Sequence, residues 1–235
     1  MKKLLLAGTL ATISMAASAQ LKIAPEIGAT MYSHSNKTTI LGQSATESTD
    51  LQPGLRAGAV LDLTLSDHFS LQPGVFYALN RTKSESSSTT GSYTYLNKNS
   101  VLLHAVQVPI YAVYKTGEEG SGRFFVGLGG YISYTIAGTQ KSETATTAGG
   151  ITTDKKSSLK MKLGNDKTDE LRPLDYGPSA MLGYELANGL YFRGHFNYGL
   201  ANMLPQGNSD AYTKSMSFGI SVGYFFGSAG GYNGW

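Results

Sequence analysis

The chain has 235 residues, with 19 lysines and arginines, 16 aspartates and glutamates and no cysteine, which excludes disulfides, thiolate metal sites and a lipid anchor on cysteine. Setting aside Lys2 and Lys3 leaves 17 basic and 16 acidic side chains, a net charge of +1, and nothing in that balance points to nucleic acid. Charged residues make up only 15% of the chain, against about 25% in an ordinary soluble protein.

The first element is a leader. Lys2 and Lys3 precede an apolar run from Leu4 to Met15, and Ala17-Ser18-Ala19 forms an A-x-A cleavage site. Residues 1–19 therefore read as a cleaved signal peptide, which implies export. After residue 19 no run approaches the roughly 18 apolar residues of a spanning helix. Any contact with a bilayer has to be made by strands.

Alternation of period two, the mark of a strand with two unlike faces, recurs over 21–33, 51–65, 69–80, 101–115, 122–135, 174–186, 190–202 and 214–226. Three connections are short: Ser66-Asp67-His68, "TGEEGS" and "ANG". The other four are long and polar: the segments 34–50, 81–100 and 136–173, and "MLPQGNSDAYTK". Short and long connections alternate, as expected of an even-stranded barrel with short periplasmic turns and longer extracellular loops. The fold class is thus all-β, an eight-stranded antiparallel transmembrane β-barrel over residues 20–226, followed by a glycine-rich tail at 227–235.

One face of these strands is apolar throughout. It carries Ile23 and Ile27, Leu55 and Leu61, Val75, Ile110, Leu128, Leu182, Phe196 and Ile220, with no Asp, Glu, Lys or Arg. The other face holds Lys22, Glu26, Arg56, Asp62, Lys115, Arg123, Asp175, Glu185 and Arg193 among many glycines and serines. A soluble lipocalin-like carrier would put the apolar face inside; an outer-membrane barrel puts it outside. Glycine on a water-facing surface costs entropy and solubilises nothing. In a narrow lumen, small residues are needed beside Phe76, Tyr111, Phe125, Tyr131, Tyr191 and Phe225. The membrane assignment follows. It also places Phe69, Tyr114, Phe124, Tyr184, Phe192 and Tyr224 in one outward girdle and Tyr77, Tyr134, Tyr176, Tyr198 and Phe218 in the other.

The segments "SLQPGVFYAL", "VQVPIYAVYK", "FFVGLGGYISY" and "DYGPSAMLGYELANGLYFRGHFNYGLANM" resemble the PorT-like outer-membrane β-barrel family. That resemblance, strongest over the third to eighth strands, implies an eight-stranded barrel in the outer membrane of a Gram-negative bacterium, and it carries no catalytic signature. The sequence departs from the family at Gln107, where a glutamate is more usual before the "V-P" pair.

The inward charges define a candidate site of structural kind, a polar lumen network of Glu26, Arg56, Asp62, Gln107, Glu185, Arg193 and His195. In "LYFRGHFNYGL" the alternation sends Arg193 and His195 inward, and pairing Leu186 with Leu190 across the "ANG" turn sets Gly183 opposite Arg193. Glu185 is then the diagonal neighbour of Arg193 and its expected partner, with Asp62 or Glu26 as further candidates from across the lumen. His195 is expected to be hydrogen-bonded there. "GLGGYIS" lies within a strand with no helix after it, so it does not meet the requirements of a dinucleotide loop. The four histidines lack zinc-site spacing, no Ser-His-Asp set stands out, and Glu118-Glu119 reads as a solvated turn. No catalytic residue, cofactor or metal is expected.

The expected partners are outer-membrane lipid, the barrel-assembly machinery through Val222, Tyr224 and Phe226, and an extracellular ligand on loops 34–50, 81–100 or 136–173. The functional expectation is an integral outer-membrane barrel of structural or interaction type, its lumen filled and not a general diffusion pore. The alternatives are a lipid-modifying hydrolase or acyltransferase of the outer membrane and the soluble carrier.

Overall fold

A computed structural model describes residues 21–226; the leader and the tail at 227–235 lie outside it. Ten strands run in chain order: β1 (Leu21–Ile40), β2 (Gln43–Ser48), β3 (Asp50–Thr64), β4 (Phe69–Thr90), β5 (Tyr93–Lys115), β6 (Arg123–Ala148), β7 (Ile151–Lys160), β8 (Leu174–Glu185), β9 (Leu190–Tyr198) and β10 (Ala211–Tyr224). Eight of them, β1, β3, β4, β5, β6, β8, β9 and β10, pair antiparallel in that order, and β10 pairs back with β1 from Glu26↔Gly223 to Thr38↔Ala211. The sheet is closed, so every spanning strand has a backbone partner on both sides. Hydrocarbon demands this, because an unpaired backbone group in lipid costs several kcal/mol.

The faces lie as the alternation dictates. Ile27, Phe124, Leu128, Leu182 and Ile220 are between 60% and 73% exposed on the outside. Lys22, Glu26, Arg56, Asp62, Lys115, Arg123, Asp175, Glu185 and Arg193 are all buried inside. A soluble carrier, with its apolar face inward, is therefore ruled out. The two outward rings of aromatic side chains fall at opposite ends of the barrel wall.

The long connections differ from the expected loops. Residues 34–50 and 81–100 fold as strand: β1 runs on to Ile40 and turns back into β2, while β4 and β5 stay paired from Phe69↔Tyr114 out to Thr90↔Tyr93. Within 136–173, β6 continues to Ala148 and pairs with β7. Tight turns close these hairpins, with positive φ at Leu41 and Gly42, at Gly91, and at Gly149 and Gly150, the geometry that two-residue hairpin turns favour. Period-two hydrophobicity disappears here because both faces of a projecting hairpin are wet, and Thr and Ser then carry the strand. "LKMKL" contributes only Leu159 and Lys160 to β7, and Leu163 bridges to Leu171 farther on. The connection between β9 and β10 is an irregular loop organised by one side chain. Asn202 Oδ1 accepts from the backbone N–H of Leu204 and Thr213, and its amide donates to the carbonyls of Asn208 and Ala211.

Candidate functional site: a closed ionic lumen

At the periplasmic mouth, three ion pairs line the bore. Lys22 meets Glu119, Lys115 meets Asp62, and Arg123 meets both carboxylate oxygens of Glu185 at 3.0 and 3.2 Å. Glu119 is thus no free solvated acid: the turn between β5 and β6 folds it back onto a buried lysine. A pocket of about 590 Å³ opens on this side, bordered by His68, Glu118, Glu119 and Arg123.

Next comes an apolar layer of Tyr111, Val113, Phe125, Met181, Tyr191 and Phe225. Phe225 stacks on Tyr191 with ring centroids 4.7 Å apart. Glycines make the room. A Cβ on Gly183 would lie 2.3 Å from the Phe125 ring, and one on Gly223 would lie 2.3 Å from the Tyr191 hydroxyl. With nothing in the way at Gly223, Tyr191 reaches over β10 and donates to Glu26 Oε2 at 2.7 Å.

Glu26 is the centre of the network. Oε1 accepts from Arg56 Nη2 at 3.2 Å and from Ser221 Oγ at 2.8 Å; Oε2 accepts from Tyr191 and lies 3.2 Å from Arg193 Nη1. The Arg56 guanidinium lies 3.6 Å from the centroid of the Phe76 ring, a cation–π contact. Arg193 Nη2 donates to Gln72 Oε1 at 2.9 Å, and the Gln72 amide donates to Asp62 Oδ1 at 3.0 Å. One continuous chain, Arg56–Glu26–Arg193–Gln72–Asp62–Lys115, therefore crosses the lumen. Desolvating these charges is expensive, and the pairing offsets that cost without leaving a large net gain.

The expected Arg193–Glu185 pair does not form. The register behind it is present, Gly183↔Arg193 and Glu185↔Tyr191, but Arg123 lies directly opposite Glu185 on β6 and takes both its oxygens. Arg193 turns the other way, to Glu26. His195 is not hydrogen-bonded either: among the described residues both of its ring nitrogens are buried without a partner. It borders a small void of about 20 Å³, with Arg56, Gln107, Asp175 and Asn197 on the same wall, and a void of that size holds about one water. Gln107 lines this void and lies outside the ionic chain. Asp175 instead accepts from Tyr131 and Ser215 at 2.8 and 2.5 Å. Above them Tyr32, Leu103, Leu171 and Met203 cap the bore. Tyr32, level with the outer girdle, bonds His34 Nε2 just beyond it at 2.6 Å, and burial pushes the His34 imidazole down to about 4.

Gln72 and Tyr191 are linking residues outside the polar network expected from the sequence, in which Tyr191 figured only as lumen filling and Gln72 not at all. Both lie on the inward face by period two, which was the signal available, but neither is charged.

Among the described residues no group of three His, Asp or Glu side chains could hold a metal. What the geometry defines is a closed transmembrane β-barrel whose bore is filled by its own side chains. The sequence matches the model of the outer membrane protein beta-barrel domain over residues 15–205, and the chain belongs to that family and to the outer membrane. No curated protein matches it. Among solved structures, it is similar to OprG of Pseudomonas aeruginosa, with 12% identity over 88% of this chain and 96% of that one and a TM-score of 0.43. It is also similar to Neisserial surface protein A, with 11% identity over 87% and 97% and a TM-score of 0.37. A third is Ail of Yersinia pestis, with 9% identity over 86% and 98% and a TM-score of 0.29.

Proposed function

We propose that this barrel is a non-conducting scaffold whose work is done by the hairpins it holds above the outer membrane. The observation that carries the reading is the Arg56–Glu26–Arg193–Gln72–Asp62–Lys115 chain, which blocks the bore where a diffusion pore keeps water. The projecting ends of β1–β2, β4–β5 and β6–β7 supply rigid polar surfaces on that scaffold, the arrangement by which loops on a stable core acquire partners. Their partner is an extracellular ligand. The outward series Val222, Tyr224 and Phe226 supports recognition by the barrel-assembly machinery, and the strand motifs favour the PorT-like type within the family. Single-channel recording in planar bilayers tests the central point. The expected trace is flat, and a stable large aqueous conductance overturns the proposal.

A further inference from the structure

Above the outer girdle, the outward faces of β4, β5, β6 and β7 form rows that the strand register fixes. The girdle row pairs Tyr77, Val106 and Tyr134. One step higher on the same face stand Leu79 and His104, with the Tyr77 hydroxyl 2.5 Å from His104 Nδ1. The next row runs Arg81, Leu102, Thr139, Lys160, and the one above it runs Lys83, Ser100, Lys141, Ser158. Asp50 of β3 adjoins Lys83 at the edge. These two rows thus carry four cations and one carboxylate. Among the described residues Arg81, Lys141 and Lys160 make no ion pair.

The row above that differs sharply. Glu85, Lys98, Glu143 and Lys156 alternate in sign; Lys98 pairs with Glu85 at 3.3 Å and Lys156 with Glu143 at 3.1 Å, and Glu85 also lies 3.8 Å from Lys83 of the row below, which leaves Arg81, Lys141 and Lys160 as the shelf's unpaired cations among the described residues. Charge is balanced farther from the membrane and left unbalanced next to it. Arg81 lies four residues beyond Tyr77, about 13 Å along the strand and nearer 10 Å in height once barrel tilt is allowed for. The headgroup layer is about 5–8 Å deep on each side of the hydrocarbon, so Arg81 and Lys160 stand just above it, and their long side chains reach down into it.

We infer that this shelf of Arg81, Lys83, Lys141 and Lys160 binds the phosphate groups of an anionic outer-leaflet lipid. The side chains point outward, along the plane of the membrane, into the zone where headgroup phosphates lie. Cations there attract anionic headgroups through their charge, and Arg81 adds a planar fork that matches phosphate oxygens. The Tyr77–His104 pair marks the lower edge of the same surface, where an amphipathic ring sits at the interface.

The test embeds the refolded protein in phosphatidylcholine nanodiscs containing bisphosphorylated lipid A and counts retained lipid by native mass spectrometry. The wild type is expected to retain lipid A over phosphatidylcholine. Each charge removed is expected to weaken retention roughly fivefold, so R81Q/K141Q/K160Q loses well over tenfold and K160Q alone shows a partial loss. K156Q, on the same strand and face four residues farther from the membrane, is expected to leave retention unchanged. Equal retention by the triple variant and K156Q, each still showing the gel mobility shift of a folded barrel, overturns the inference. So does a result in which soluble heparin, added to barrels in lipid A-free discs, depends on the three residues while lipid A retention does not.

Discussion

Arg193 Nη1 lies 3.2 Å from Glu26 Oε2, although the two residues sit on β9 and β1, with β10 between them. Glu26 is the shared carboxylate of two buried guanidiniums, since Arg56 reaches its other oxygen. Glu26→Gln would leave both arginines inside the wall facing a neutral amide, and removing one partner of a buried pair costs about 3–5 kcal/mol. Urea unfolding of the vesicle-inserted barrel should show that loss. A double-mutant cycle should give a coupling of about 1–3 kcal/mol for Arg193 with Glu26 and close to none for Arg193 with Glu185. The reverse ranking would mean that Arg193 turns toward β8 in the membrane.

Gly223 is the opening through which Tyr191 reaches Glu26. A methyl at this position would meet the tyrosine hydroxyl at 2.3 Å and Cζ at 2.4 Å, so Gly223→Ala should cost about 1–3 kcal/mol by overpacking. Tyr191→Phe leaves the ring in place and removes only the donor, which predicts a smaller loss of about 1–2 kcal/mol. Comparing unfolding midpoints separates the two effects. If Gly223→Ala proves silent, the ring does not lie across β10.

How far the sequence could be read follows from these same residues. Period two assigned Glu26, Arg56, Asp62, Glu185 and Arg193 to the lumen, and the "ANG" turn set Gly183 opposite Arg193, because both are local rules of a strand and its hairpin. The partner of Arg193 was beyond such rules. It depends on how β9 and β1 are staggered around the closed wall and on a glycine in the strand between them. The hairpins above the membrane were hidden for a different reason. Thr89, Thr94, Thr147 and Thr152 pair across strands with no buried face, so hydrophobic alternation had nothing to mark. His195 is buried on the inward face, but whether its nitrogens find partners there is a property of packing that no spacing rule carries.

His34 gives a pH dependence. It stands beyond the outer girdle, three residues after the outward Met31, and burial holds its pKa down to about 4 against an ordinary 6.5. The folded hairpin therefore stays unprotonated between those values while the opened one takes up a proton. The contribution to stability is complete above pH 6.5, is lost as pH falls through the window, and declines no further below about 4. Hydrogen exchange in β1 and β2 should quicken over that range in the wild type. In His34→Gln that part of the acid response should vanish; an identical acid limb in both proteins would assign it to other groups.

The outer half of the β4–β5 hairpin presents both faces to water, with Ser84 through Thr90 exposed along β4. Ser84 and Asn99 are directly paired, so residues 85–98 can be replaced by Asn-Gly, whose backbone suits a two-residue hairpin turn. No lumen residue is lost; β4 and β5 are shortened only beyond Ser84 and Asn99, above the girdle, where β5 residues 93–98 pair with β6 residues 143–148. The unfolding free energy should change by less than about 1 kcal/mol, within the range of exposed substitutions, and the gel mobility shift of the folded barrel should persist. Because Arg81 and Lys83 remain, lipid A retention should also persist, while binding of any extracellular partner that docks on this tip is lost. A barrel that fails to insert without residues 85–98 would show that the hairpin serves assembly, and the scaffold reading of its outer half would fall.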